Sequence, residues 1–327
     1  MSDGIAYRVT RSPSIWAHAI HDQHPRGYAY QAGDHFVHIY GSDVGWRQLS
    51  VGLSVSEQRV GSLRDWATRV YGAEDIVPLE HDVGTVVDGV WRPGLYFEQD
   101  MEQAFGNRRP ARRVEEQSLY SLVDRLNELL QYVHPVGPGL EAYGPKQREL
   151  LILAATEAEN VWVRYLERAG AIGRRFTTND YVKLKDALRL DEYQVWLTAY
   201  GDAPAVWPLK GWLPERPTGS LPWYDAYNAV KHDRAGSLHL ATVRRCIEAV
   251  AANLVLFVVR FGPDALYESV TPVSALVNHL LTLVLDGADP ATFYVPSLKL
   301  EPGWRNDLFA FQGQRYTLPW RIRPLKL

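Results

Sequence analysis

The stretch Glu149-Leu-Leu-Ile-Leu-Ala-Ala-Thr-Glu-Ala-Glu-Asn-Val-Trp-Val-Arg-Tyr-Leu166 decides how the middle of this chain folds. It contains no glycine or proline, and apolar side chains cover almost the whole circumference of a 3.6-residue repeat, so it reads as a central helix. Pro145 suits a first turn, where its missing N–H is not needed. Gly170 suits a stop. The predicted helix is therefore Pro145–Arg168. Two carboxylates interrupt its apolar surface. Glu157 follows Leu150 and Leu153 and precedes Val161 and Arg164; Glu159 sits among Ile152, Ala155, Trp162 and Leu166. A carboxylate in such surroundings needs a cation or a hydrogen-bond donor, or it takes up a proton.

Helical spacing also joins Leu119, Leu122, Val123, Leu126, Leu129, Leu130 and Val133, from Glu116 to the turn His134-Pro-Val-Gly-Pro-Gly139. Downstream, residues 176–222 read as irregular, with a short helix near 180–188 and a loop Trp207-Pro-Leu-Lys-Gly-Trp212. That loop is expected to pack over the bundle, and its indoles suit base stacking as well. A short helix over 222–234 is expected to break at Gly236. Ser237 is then the expected cap of a long apolar helix ending at Phe261, before Gly262-Pro263.

The short helix concentrates polar chemistry: Trp223-Tyr-Asp-Ala-Tyr-Asn-Ala-Val-Lys-His-Asp-Arg234. Helical geometry puts Asp225, Asn228 and His232 on one face, and Tyr227, Val230, Lys231 and Arg234 on the next. A histidine moves protons near neutral pH, and lysine and arginine hold phosphate oxygens. The same residues support a structural reading. Tyr227, Asn228 and Arg234 would then bond Glu157 or Glu159 and pin two helices together as a buried polar clasp.

The flanks differ in character. Residues 1–114 read as a small α+β domain. His35-Phe-Val-His-Ile-Tyr40 and Trp46-Arg-Gln-Leu-Ser-Val-Gly-Leu53 have strand propensity. Ser62 to Tyr71 reads as a helix stopped by Gly72, and Asp88-Gly89 signals a hairpin within 83–97. Arg108-Arg-Pro-Ala-Arg-Arg113 reads as a solvated basic linker facing Glu115 and Glu116, with contact to phosphate as the alternative. The tail, 263–327, is expected to hold an apolar helix near 273–285, a Pro-rich stretch and a strand near 315–321, packed on the bundle.

Of the 327 residues 46% are hydrophobic, so a large core is available. The net charge of -3 provides no global basic footprint for duplex binding. A single cysteine, Cys246, excludes an internal disulfide framework and a thiolate zinc site. No phosphate-binding glycine loop, dinucleotide fingerprint, nucleophile elbow or His-Glu-x-x-His is present. His18, His21, His24, His35 and His38 lie close in sequence, but no carboxylate is spaced to complete a metal site. Met1-Ser-Asp-Gly-Ile-Ala-Tyr-Arg8 lacks the pattern of a secretory leader, and the apolar run 249–259 is too short to span a bilayer. Cytoplasmic residence without membrane attachment is the expectation.

The run Tyr227-Asn-Ala-Val-Lys-His-Asp-Arg234, between the Glu157 helix and a long apolar helix, resembles the HEPN superfamily. It is similar to a bacterial branch of that family with an Asn-x-x-Lys-His-x-Arg signature, and the likeness covers residues 116–262. The resemblance implies a helical bundle that pairs face to face as a homodimer. It also implies action on RNA or nucleotides, as in the metal-independent endoribonucleases of toxin–antitoxin and antiviral systems, with an antitoxin or defence protein as partner. The family motif is an arginine, commonly followed by a polar residue, and a histidine four to six positions after the arginine. Asn228 matches the polar position and His232 the histidine; Tyr227 stands where the arginine would be. By the resemblance, His232, Asn228, Lys231 and Arg234 form the catalytic set. Tyr227, Trp223, Glu157 and Glu159 are the binding residues beside it, and no cofactor or metal is implied. Non-catalytic members that bind nucleotides, nucleic acid or proteins are the alternative.

Overall fold

Alternation in His35-Phe-Val-His-Ile-Tyr40 sends Phe36, His38 and Tyr40 to one side of a strand and Val37 and Ile39 to the other, and all of them are buried. In the computed structural model this strand, β3 (His35–Gly41), lies within a five-stranded sheet. The structure describes residues 4–13, 20–96, 98–106, 109–172, 175–267, 270–298, 300, 303 and 320–327. The sheet comprises β1 (Gly4–Arg8), β2 (Arg26–Ala32), β3, β4 (Leu49–Gln58) and β5 (Glu74–Pro78), in the order β4-β3-β2-β1-β5 with antiparallel pairing throughout. A single turn, α1 (Ile20–Gln23), precedes β2, and α2 (Leu63–Tyr71) follows β4. Helix α2 starts and stops as its sequence predicts. The Ser62 side chain accepts from the Asp65 N–H, and Gly72 takes a left-handed conformation at φ 59°. Trp66, Ala67 and Tyr71 of α2 pack with Phe36, Tyr40 and Tyr7.

The chain divides into two compact units, Met1–Gly106 with Ala288–Arg323, and Asn107–Gly287 with Pro324–Leu327. This revises the expected division at 114 and 262. Residues 288–298 complete the first unit: Phe293 stacks on Tyr28 and the Leu298 N–H donates to the Tyr30 hydroxyl at 2.7 Å. Gly94 makes the same connection closely. Its φ is 105°, and a β-carbon there would lie 1.8 Å from the Tyr294 carbonyl oxygen. The expected hairpin at Asp88-Gly89 is absent. Strand β6 (Thr85–Val87) turns at Gly89 and pairs in parallel with β9 (Arg321–Arg323) instead. The strand expected near 315–321 otherwise lies outside the described residues. Helix α3 (Glu98–Phe105) closes this part of the chain.

In the second unit α4 (Arg109–Leu130) begins where a linker was expected. Pro110 falls in its first turn, where proline is tolerated, and Arg112 pairs with Glu116 one turn on at 3.1 Å. Helix α5 (Pro145–Arg168) has the expected bounds. Short helices α6 (Thr178–Tyr181) and α7 (Leu184–Ala187) follow, then β7 (Tyr193–Leu197), α8 (Pro222–His232), α9 (Arg234–Ser237) and α10 (Val243–Phe261). Helix α10, not α5, is the central helix. It is buried nearly all round and packs on α4, α5 and α8, whereas α5 exposes Thr156, Asn160 and Arg164. Its N-cap is Thr242 rather than Ser237, because Asp233 ends α8 three residues before Gly236 and caps α9. After α11 (Asp264–Tyr267), α12 (Pro272–Leu280) packs on α4. The expected helix over 273–285 thus ends early. Its last residues form β8 (Leu281–Leu285), antiparallel to β7. The protein is α+β overall.

Candidate functional site

Helix α8 has two sides. Trp223, Tyr224, Tyr227 and Val230 are buried; Asp225, Lys231 and His232 are exposed, and Asn228 is half-buried between them. Trp223 is anchored by its indole N–H, which donates to the Pro208 carbonyl at 2.9 Å, and it packs 5.9 Å from Trp162 of α5. Trp212 of the preceding loop lies on the same Trp162, so that loop packs over the bundle as expected.

Glu159 of α5 faces this helix. Its carboxylate accepts hydrogen bonds from the Tyr224 hydroxyl and, at 3.3 Å, from the Tyr227 hydroxyl. The Lys231 ammonium donates in turn to the Tyr227 hydroxyl at 2.7 Å and lies 4.9 Å from the Tyr227 ring centre. A chain of charge-assisted bonds thus runs from a carboxylate through a phenol to an exposed ammonium. Its electrostatics agree with that reading. Burial, then the bond to Glu159, pushes the Tyr224 hydroxyl well above the usual phenol range. The bond to Tyr227 raises Lys231, against an opposing contribution from burial. Tyr181 of α6 is raised by burial and by the Glu159 charge.

The predicted site residues separate into groups. Glu159, Tyr227, Lys231 and Trp223 come together on the inward and flanking sides of α8. Asn228 turns its amide nitrogen to the Tyr224 carbonyl at 2.9 Å, within its own helix. His232 stands exposed in the last turn and makes no hydrogen bond among the described residues. Arg234 opens α9, but its side chain lies outside the described residues. Glu157 does not join the group. Two positions from Glu159 on a helix is more than half a turn, so Glu157 faces α4 and α10.

Two contributors were not singled out in the sequence. Tyr224 lies at helical spacing before Tyr227 and Lys231, a signal that was available. Arg148 of α5 was not: its guanidinium donates through Nε and Nη2 to the Val230 carbonyl, at 3.1 and 3.0 Å, and secures the end of α8 that bears His232. Only the tertiary fold brings those residues together.

The clustered histidines take separate partners. His21 Nδ1 is 3.2 Å from Ser12 Oγ, His24 Nδ1 3.4 Å from Ser50 Oγ, and His35 Nδ1 2.8 Å from Asp34 Oδ1. His38 Nδ1 lies 2.5 Å from the Tyr7 hydroxyl, and His18 falls outside the described residues. Among the described residues no group of three or more His, Cys, Asp or Glu side chains is placed to hold a metal ion. Cys246 is buried against the Gln147 carbonyl, and burial pushes its thiol up. Among the described residues no helix is long and apolar enough to cross a membrane. Compared with protein-family models, curated proteins and solved structures, the chain matches none.

Proposed function

We propose that the helical unit is HEPN-like and acts on RNA or a nucleotide through the exposed end of α8, as a metal-independent endoribonuclease of a bacterial defence or toxin system. The observation that carries this reading is His232. It is solvent-exposed in the turn next to Lys231, with no hydrogen bond among the described residues, on a helix end held in place by Arg148. An exposed imidazole can take the proton of a ribose 2′-hydroxyl as that oxygen attacks the adjacent phosphorus; the P–O5′ bond breaks, leaving a 2′,3′-cyclic phosphate and a 5′-oxygen that solvent protonates. The Lys231 ammonium, with Arg234 beyond it, offsets charge developing on the phosphate oxygens. Lys231 takes the part of the arginine that Tyr227 replaces. Asn228 lies one turn before His232 and borders the same surface. A second copy of the chain meeting this face would complete a composite site.

A second reading has its own support. The Glu159–Tyr224–Tyr227 bonds join α5 and α8, as a structural clasp in a non-catalytic, partner-binding protein would. Incubating the purified protein with total RNA, with a DNA of matched sequence and with chelator separates the two. The catalytic reading expects RNA to be cut with or without chelator and the DNA, which lacks the 2′-hydroxyl, to survive. Intact RNA in every arm supports the clasp.

A further inference from the structure

Strands β1 and β2 are neighbours in the sheet, so the chain leaving β1 and the chain returning into β2 lie at the same end of it. Arg8 pairs with Arg26, and the Val9 N–H donates to the Pro25 carbonyl at 2.7 Å. The Thr10 and Arg11 N–H groups both donate to the Tyr71 carbonyl, at 3.1 and 3.3 Å, and fix the exit on the end of α2. The turn of α1 fixes the return, where the His24 N–H donates to the Ile20 carbonyl at 2.8 Å. This anchoring sets Ser12 on the outgoing chain against His21 and Asp22 on the returning one.

The three side chains form a line. Ser12 Oγ lies 3.2 Å from His21 Nδ1, and His21 Nε2 lies 3.2 Å from Asp22 Oδ1. A carboxylate only accepts, so Nε2 carries the imidazole hydrogen and Nδ1 turns its lone pair to the serine hydroxyl. A hydroxyl within reach of a base that a third group orients is the arrangement of an activated nucleophile, recognised by geometry rather than by chain order. From the core side the buried Tyr40 hydroxyl interacts with Ser12. Burial raises that phenol, so it stays protonated, donates to Oγ and leaves the serine hydrogen for His21. Ser12 and His21 are themselves half-buried, within reach of a substrate.

The surroundings select the substrate class. Arg11 commits its Nη2 to the Thr68 and Arg69 carbonyls of α2, while Asp22 is exposed beside the histidine and repels an anion. The Ser12 N–H makes no hydrogen bond among the described residues and can receive a developing oxyanion. One such donor suits an ester, whose alcohol leaves readily, better than an amide. We propose that Ser12, His21 and Asp22 hydrolyse uncharged carboxylic esters. Ser12 Oγ attacks the carbonyl carbon as its proton passes to His21 Nδ1. The ester C–O bond then breaks, and His21 returns that proton to the departing alcohol oxygen. Water next attacks the acyl carbon and gives a proton to Nδ1. The bond from that carbon to Oγ breaks, the carboxylic acid departs, and Oγ takes the proton back. Asp22 is a positioning residue that holds the imidazole in the required tautomer. This site lies in the sheet unit and does not depend on the reading given for α8.

Labelling of the full chain with an alkyl fluorophosphonate tests the assignment, because Oγ displaces fluoride from phosphorus only when it is activated. Peptide mass spectrometry should find the adduct on Ser12. His21→Ala should slow labelling of Ser12 on the order of a hundredfold. Asp22→Asn, an isosteric change at an exposed position, should slow it about tenfold or more with thermal unfolding unaltered, and Asp22→Glu should restore most of the rate. Hydrolysis of 4-nitrophenyl acetate by the wild type should fall to the uncatalysed rate in Ser12→Ala. No adduct on Ser12 would overturn the proposal. So would an unaltered labelling rate in His21→Ala or Asp22→Asn, or ester hydrolysis by Ser12→Ala as fast as by the wild type.

Discussion

Glu159 shows how one side chain can make a near-apolar helix specific. It is half-buried, and the two phenols that donate to it replace the water it loses. Removing it leaves Tyr224 and Tyr227 without their acceptor. Glu159→Ala should lower stability by about 2 kcal/mol, the worth of hydrogen bonds to a charged group. Urea unfolding followed by tryptophan fluorescence would measure this, and a loss under about 0.5 kcal/mol would show the bonds to be incidental. His38 presents the opposite case. It is fully buried, stacked on Tyr71 at 3.8 Å between ring centres and edge-on to Tyr40, and its Nε2 finds no partner among the described residues. Burial holds its pKa well below 6.5. The unfolded chain then binds a proton that the folded chain refuses, so His38 costs stability as pH falls below about 6.5. The limiting slope is about 1.4 kcal/mol per pH unit. Comparing wild type with His38→Phe between pH 7 and 5 isolates that contribution. Parallel stability curves for the two proteins would refute the assignment.

At the level of whole helices and strands, boundaries were readable where one residue supplies the signal locally. Pro145 and Gly170 bracket α5, and Ser62 and Gly72 bracket α2, because caps act within a turn. The end of α8 was misplaced because Asp233 reaches forward to the Gly236 N–H and starts a new turn, so the glycine is a capped residue rather than the breaker. Strands β7 and β8 were missed for a different reason. Tyr193 and Leu285 pair across the whole α8–α10 segment, and short apolar runs carry no periodicity that separates strand from helix. Much of the candidate site was readable, since Tyr227, Asn228, Lys231 and His232 share one helix. The separation of Glu157 from Glu159 also follows from helical geometry, although both were grouped with α8. Arg148 was not readable, and it gives α8 its fixed end. A cation at a helix C-terminus bonding a free carbonyl contributes about 1 kcal/mol. Arg148→Met should therefore speed amide exchange in the last turn of α8 about fivefold, as hydrogen-exchange mass spectrometry would detect. Unchanged protection there would mean that packing alone holds the turn.

Across the molecule, chemistry and stability are distributed unevenly. The sheet unit draws its last residues from far along the chain, through Phe293, Tyr294 and Leu298. The helical unit keeps its core around α10 and presents His232 and Lys231 to solvent at the end of α8. The central claim concerns that end of α8, and it is tested most directly by the rate of RNA cleavage in chelator by wild type and by His232→Ala. His232 is exposed, so its loss should leave thermal unfolding unaltered. The account predicts chelator-resistant cleavage by the wild type and a rate lower on the order of a hundredfold in His232→Ala. Equal rates in the two proteins, cleavage that stops in chelator, or intact RNA with the wild type would contradict it.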